Sequence, residues 1–140
     1  MKVVVNNCYG KFGLSPKAQE RYWGLKGKQV FFYVREYGTK KARKASADAN
    51  PLLVEALFKD YGPLVNLAEV PREEFARSET IERHDPVLVR VVEEMGKVAD
   101  GWRARLTVIE IPDGADYIIR DYNGKECVWL RCLVKQGGTK

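Results

Sequence analysis

Cysteine and histidine are scarce in this sequence: its 140 residues include three cysteines and one histidine. The cysteines, at Cys8, Cys127 and Cys132, are odd in number and form no C-x-x-C pair. With His84 as the single imidazole, the chain lacks the four well-spaced ligands of a structural zinc site. The sequence therefore predicts no metal site, and no pattern in it indicates another cofactor.

Long hydrophobic runs are also missing. No apolar stretch approaches the roughly 18 residues that a membrane helix needs. The first residues become polar at Asn6 and Asn7, directly after three valines, which is too early for a secretory signal. These features predict a cytoplasmic protein without a membrane partner. No pattern in the sequence determines the oligomeric state.

The overall composition is that of a globular domain. Hydrophobic residues make up 45% and charged residues 31%, which argues against intrinsic disorder. A chain of this length buries roughly two-thirds of its unfolded surface and needs no disulfide to fold. We expect a single α+β domain over residues 1–135 and a flexible tail over 136–140. The formal net charge of +5 permits an anionic partner without requiring one.

Three pairs of a capping side chain and a proline predict the starts of helices, at Ser15-Pro16, Asn50-Pro51 and Asp85-Pro86. The capping oxygen accepts from a free N–H of the first turn, where proline has no N–H to lose. Apolar residues at helical spacing follow each pair, and a glycine stands where each helix is expected to end. A short helical turn is also expected after Pro71.

Stretches rich in β-branched and aromatic residues predict five strands, at 2–6, 29–37, 103–111, 117–122 and 125–134. Asn123-Gly124 favours a type I′ turn between the last two, because both central positions of that turn need positive φ. The element order predicts a mixed sheet of about five strands with three to four helices. We expect a parallel β-α-β unit first and an antiparallel meander last.

Three sequence blocks lie in order along nearly the whole chain. They read N-C-Y-G-x-F-G-L-S at 7–15, R-x-D-P-x-L-V-x-V-V-E-E-x-G at 83–96 and I-E-I-P-D-G-x-x-Y-x-I-x-x-Y-x-G-x-E at 109–126. Together they resemble a family of small, uncharacterised bacteriophage and prophage proteins. The chain departs from that family at Lys11, where a second glycine often follows Gly10. The resemblance implies a phage accessory protein, for which host-defence evasion is an expected role, and it implies no catalytic residue.

The first candidate site is the glycine-containing turn between the first strand and the first helix. Glycines let a ligand approach the backbone, a helix N-terminus offers free N–H groups, and Lys11 adds a full charge. These features predict binding of a nucleotide-like or other anionic small molecule. In the competing interpretation the glycines only form a tight turn and Phe12 fills the core. The candidate ligand-binding residues are Asn6, Asn7, Tyr9, Gly10, Lys11, Gly13 and Ser15.

A basic stretch near the second predicted strand supports an alternative function, that of a small nucleic-acid-binding protein. Each cation that meets a phosphate releases a counterion, and neighbouring Tyr33 and Tyr37 can stack on bases. In the competing interpretation the stretch is a solvated loop. The residues of this basic stretch are Arg35, Lys40, Lys41, Arg43 and Lys44.

A third hypothesis is a cysteine-dependent enzyme, with Cys8 as nucleophile, His84 as base and Asp85 orienting the imidazole. In the competing interpretation Cys8 is a buried thiol and Asp85 caps its own helix. We favour binding over catalysis, since the sequence shows no paired carboxylates typical of acid–base chemistry.

Overall fold

A computed structural model describes residues 1–48 and 54–131, and its architecture is α+β. Within these residues there are two α-helices, α1 (Pro16–Leu25) and α2 (Pro86–Met95). The strands are β1 (Lys2–Asn6), β2 (Phe31–Arg35), β3 (Lys41–Ala45), β4 (Val54–Leu57), β5 (Leu64–Asn66), β6 (Leu106–Glu110), β7 (Tyr117–Tyr122) and β8 (Lys125–Leu130). They form three sheets, β1-β6, β4-β2-β3-β5 and β7-β8, and every strand pair is antiparallel.

Both helices begin at the predicted caps. The Ser15 hydroxyl accepts from the Ala18 N–H at 3.1 Å, and the Asp85 carboxylate accepts from the Val87 N–H at 2.8 Å. Proline follows each cap at a position that needs no N–H. Helix α2 ends at Gly96, whose φ of +58° lies in the left-handed region that glycine adopts freely. The predictions of these two helices are confirmed.

Strand β1 lies in the middle of the fold, and its pairing shows that the predicted parallel β-α-β unit is wrong. It pairs antiparallel with β6, with Val4 opposite Val108, while β2 belongs to a different sheet. Val4 packs against the two helices, and Val3 and Val5 pack against the β7-β8 hairpin. Burial of both faces of β1 stabilises the fold more than a local crossover to β2 would. Strand β1 therefore pairs with a strand about 100 residues away and not with the next strand in the sequence.

The prediction of a helix after Asn50-Pro51 is wrong: the first described residues of this segment form a strand. Residues 54–57 form β4, in which Ala56 pairs with Phe32 of β2. Ala56 and Leu57 are both buried, in clusters on opposite faces of the sheet. A strand that is covered on both faces shows a continuous apolar run, which periodicity does not separate from a helix. Asn50 and Pro51 lie outside the described residues.

Lys41, Arg43 and Lys44 of the basic stretch belong to strand β3 and not to the loop that the charge run suggests. This strand pairs with β2 on one side and with β5 on the other. Ala42 is buried in the middle of the strand while Lys41 and Arg43 point to solvent, the alternation of a strand with one covered face. Pairing on both edges outweighs the low strand preference of lysine.

The hairpin prediction at Asn123-Gly124 is confirmed, with φ of +54° and +94° at the two positions. The antiparallel meander is wrong, because β6 pairs with β1 and β7 pairs with β8. Short 3-10 segments complete the described chain, at Leu67–Glu69, Arg72–Glu74, Ser78–Thr80 and Gly96–Ala99, and the second confirms the turn expected after Pro71. Cys132 and the predicted tail at 136–140 lie outside the described residues.

Candidate ligand-binding cleft

Asn6 anchors the turn that follows β1. Its side chain is fully buried, and its amide group donates to the carbonyl oxygens of Gly124 at 2.8 Å and Cys8 at 3.0 Å. Its oxygen accepts from the Arg105 N–H at 2.8 Å. Because these contacts use both ends of the amide, Asn6 joins the turn to the hairpin and to the segment before β6.

Gly10 is required for close packing of the turn. A Cβ atom on Gly10 would overlap the carbonyl oxygen of Arg103, and a Cβ atom on Gly124 would overlap the backbone of Gly10. Phe12 is buried, and the Arg83 guanidinium lies 3.6 Å from the centre of its ring. Phe12 therefore belongs to the buried core, packed with residues of both helices.

The N-terminus of α1 is largely satisfied by the chain itself. The Ser15 hydroxyl accepts from Ala18 and donates to the carbonyl oxygen of Val98 at 2.6 Å. The Gln19 N–H donates to the Ser15 carbonyl, and Pro16 carries no N–H. This helix end therefore has few donors left for an anion, and Ser15 serves the fold in the described structure.

A cleft of about 300 Å³ opens beside the turn, between α1, β4 and the chain around residue 78. The turn supplies Lys11 and Gly13, and the backbone around Gly13 is open enough that an added Cβ atom would meet nothing within 4 Å. Several polar or aromatic residues from other parts of the chain also line the cleft, among them Gln19, Glu55, Arg77, Glu79 and Trp102.

Two cations and an aromatic ring stand around this cleft. Within residues 1–48 and 54–131, neither Lys11 nor Arg77 forms an ion pair. Of the two carboxylates, Glu55 is held by Arg35 at 2.8 Å and Glu79 is exposed. Trp102 is 51% exposed, so its ring offers apolar surface at the rim.

Gln19 contributes a polar atom without a partner. Its amide nitrogen donates to the Leu14 carbonyl oxygen at 3.1 Å, which fixes the orientation of the group. Its oxygen is shielded from solvent and receives no hydrogen bond from the described residues. A buried acceptor without a donor costs free energy, and a ligand N–H or O–H placed there would recover it.

The structure divides the predicted turn site. Lys11 and Gly13 line the cleft. Tyr9 lies elsewhere: the residue is 65% exposed, and the Lys125 ammonium lies 5.3 Å from the centre of its ring. Asn7 is exposed and joined to Arg105 through its N–H. Sequence reasoning missed Gln19, Arg77 and Trp102, which reach the cleft from separate parts of the chain and carry no motif.

The basic stretch is split between the two faces of its sheet. Arg35 and Lys44 lie on one face, where Arg35 pairs with Glu55 at 2.8 Å and Lys44 pairs with Asp60 at 2.7 Å. Arg43 and Lys41 lie on the opposite face. Lys40 precedes the strand. The five cations therefore do not form one continuous surface.

His84 and Asp85 have separate partners. His84 Nδ1 lies 2.6 Å from the Tyr117 hydroxyl, and burial raises the pKa of Tyr117. Asp85 caps α2 and accepts from the Tyr22 hydroxyl at 2.6 Å and from Lys26 at 2.9 Å. Burial raises the pKa of Asp85, but these hydrogen bonds outweigh it and hold the pKa below its ordinary value. Asp85 therefore stabilises a helix end rather than orienting the imidazole.

In the described part of the chain, no group of three histidine, cysteine, aspartate or glutamate side chains is arranged to hold a metal ion. None of the helices described is long and apolar enough to cross a membrane. Comparisons with family models, curated proteins and solved structures found no match.

Proposed function

We propose that the protein binds an anionic, nucleotide-like small molecule in the cleft beside the β1–α1 turn. The observation that carries this proposal is that Lys11 and Arg77, neither bound to a carboxylate among the described residues, line the same cleft as the exposed ring of Trp102. Cations hold a phosphate through charge-assisted hydrogen bonds, and an indole face packs on a planar base.

The size of the cleft supports a small ligand. About 300 Å³ is at the lower end of the range for small-molecule sites, which fits a mononucleotide better than a dinucleotide or a larger cofactor. Gln19 also lines the cleft, and its oxygen, which has no partner among the described residues, would accept a hydrogen bond from a ribose hydroxyl or an exocyclic amine. Inorganic phosphate alone would leave both Gln19 and Trp102 without a contact.

Binding fits the lining better than catalysis does. The described residues that line the cleft include no cysteine or histidine, so neither Cys8 nor His84 faces the proposed ligand. In combination with the resemblance to phage accessory proteins, retention of a nucleotide-like ligand would serve host-defence evasion by sequestration of a signal.

Isothermal titration calorimetry with nucleosides, mononucleotides and dinucleotides tests the proposal. We expect a phosphorylated compound to bind and its nucleoside to bind more weakly. Lys11→Ala or Arg77→Ala should weaken binding about tenfold, which corresponds to about 1.4 kcal/mol. Lys41→Ala is the matched control, because Lys41 is an exposed cation without an ion pair among the described residues, on a strand that does not line the cleft.

Two results would overturn the proposal. One is that no phosphorylated compound in the panel binds the parent protein. The other is that Lys11→Ala and Arg77→Ala both bind as tightly as Lys41→Ala, since the cations would then not contact the ligand.

A further inference from the structure

The hairpin β7-β8 has one face toward the core and one toward solvent. Tyr117, Ile119 and Val128 pack on the buried valines of β1. Because side chains alternate along a strand, the intervening positions point away from the core. We call these positions the outer hairpin face, which consists of Ile118, Arg120, Tyr122, Lys125, Cys127 and Trp129.

The charges on the outer hairpin face are all positive. Arg120 and Lys125 supply them, and the six positions include no acid. Among the described residues neither cation has a carboxylate within ion-pairing distance, whereas Arg131, just beyond the face, pairs with Asp116 at 3.3 Å. The face is therefore complementary to an anionic partner.

Exposed aromatic rings accompany these cations. Trp129 is 49% exposed, and the Arg120 guanidinium lies 4.8 Å from the centre of its ring. Tyr122, 59% exposed, stands opposite Lys125 in the ladder, and Lys125 in turn lies over the ring of Tyr9. Rings that remain half exposed on a strand surface, each beside a cation, are the combination that holds stacked bases and their phosphates.

We propose that the outer hairpin face binds single-stranded nucleic acid, with bases stacking on Trp129 and Tyr122 and phosphates meeting Arg120 and Lys125. A duplex hides the faces of its bases, so this stacking favours a single strand. The contacts read no base edge, so binding is tolerant of sequence. The face shares no residue with the cleft, and the proposal stands independently of the ligand there.

A second copy of the chain fits the same face poorly. A symmetric dimer would place the same residues of two protomers against each other. Arg120 and Lys125 would then approach the same cations of the second copy without an acid between them, which costs free energy. The absence of acids on the face thus favours a polyanion over self-association.

Fluorescence anisotropy with labelled oligo(dT) and oligo(U) of about 12 nucleotides tests the proposal, since single-strand sites span about 4–16 nucleotides. We expect the Arg120→Ala/Lys125→Ala variant to lower the slope of log affinity against log salt by about 1.4, at about 0.7 per phosphate contact. Trp129→Leu should weaken binding about tenfold at constant salt slope. Lys41→Ala/Arg43→Ala is the charge-matched control on another sheet, and it should leave both the affinity and the salt slope unchanged.

Circular dichroism and thermal denaturation of each variant separate loss of binding from loss of fold. The comparison of oligo(dT) with oligo(U) reports whether DNA or RNA is preferred, and either preference supports the proposal. It is overturned if neither oligonucleotide binds at about 0.05 M salt, where phosphate contacts are stronger than at physiological salt. It is also overturned if a duplex of equal length binds more tightly than the single strand, or if the control pair loses as much affinity as the hairpin pair.

Discussion

Gly124 at the tip of the β7-β8 hairpin lies directly against the backbone of Gly10 in the turn after β1. The two glycines belong to segments more than 100 residues apart, and the Asn6 amide, which donates to the Gly124 carbonyl oxygen at 2.8 Å, holds them together. The hairpin tip therefore depends on this contact as well as on its own turn geometry.

Replacing Gly124 by Ala should destabilise the protein by about 2–4 kcal/mol. The change combines backbone strain at φ +94° with overlap of the new methyl group and the backbone of Gly10. Gly114→Ala is the control: its φ is +77°, but a Cβ atom there meets open space, so only about 1 kcal/mol of strain is expected. Urea denaturation of both variants measures the difference, and equal losses would show that the contact with Gly10 contributes nothing.

Arg83 and Glu126 form a bidentate ion pair between the segment before α2 and β8. The two distances are 2.6 and 2.9 Å, and the Glu126 side chain is only 6% exposed. Arg83→Ala would leave that carboxylate without its cation, so we expect a loss of about 3–5 kcal/mol in the free energy of unfolding.

Arg90→Ala is the control for this prediction, because Arg90 pairs with Glu94 on the surface and should contribute less than about 1 kcal/mol. The Arg83→Met/Glu126→Gln double variant removes both charges but keeps an acceptor for the Asn6 backbone N–H, so it should recover much of the loss. Urea denaturation measures the free energy of unfolding of each variant. If Arg83→Ala lowered it no more than Arg90→Ala does, the ion pair between Arg83 and Glu126 would not stabilise the fold.

Asp85 should make stability depend on pH in the acid range. Burial raises the pKa of Asp85, but the hydrogen bonds from Tyr22, Lys26 and Val87 outweigh it, so the folded pKa lies below the ordinary value of 3.8. A lowered pKa means that this stabilisation is complete above about pH 4, the unfolded pKa, and is lost as pH falls through the folded pKa.

Asp85→Asn should therefore cost about 1–2 kcal/mol at pH 7, and its difference from the parent should shrink as pH falls below about 4. Thermal denaturation of both proteins across pH 2–7, about the range in which carboxylates titrate, measures that difference. A difference that stays constant down to the lowest pH would show that ionised Asp85 is not what stabilises the helix end.

Gly13→Ala distinguishes an effect on ligand binding in the cleft from an effect on the folding of the turn. Since a Cβ atom at Gly13 meets nothing within 4 Å and the residue lines the cleft, the added methyl group should weaken ligand binding several-fold without changing the melting temperature. Gly10→Val is expected to impair folding instead, because its side chain would overlap Arg103. Cys8→Ser should leave binding unchanged. Calorimetry with the nucleotide identified in the panel measures binding by the Gly13→Ala and Cys8→Ser variants, and thermal denaturation measures the stability of all three. Turnover of that nucleotide by the parent protein and its complete loss in Cys8→Ser would favour the enzyme hypothesis.

The sequence by itself determined those structural elements that depend only on contacts between neighbouring residues. The capped starts of α1 and α2, the Asn123-Gly124 turn and the bounds of β1 follow from side chains acting within a few residues, and the structure confirms them. Lys11 and Gly13 were also identified from the turn alone, although binding there stays a proposal.

Tertiary structure alone decided the pairing of strands and the composition of the cleft. The run at Val54–Leu57 and the basic stretch at Lys41–Ala45 become strands because both pair with β2, an effect that no window of local sequence contains. Arg77, Trp102 and Gln19 are ordinary residues in the sequence, and they meet Lys11 only after the sheets and helices have packed. Burial of apolar area between distant segments determines which strands pair and which residues meet in the cleft. Hydrophobic stabilisation depends on the total apolar surface that is covered and not on position along the chain.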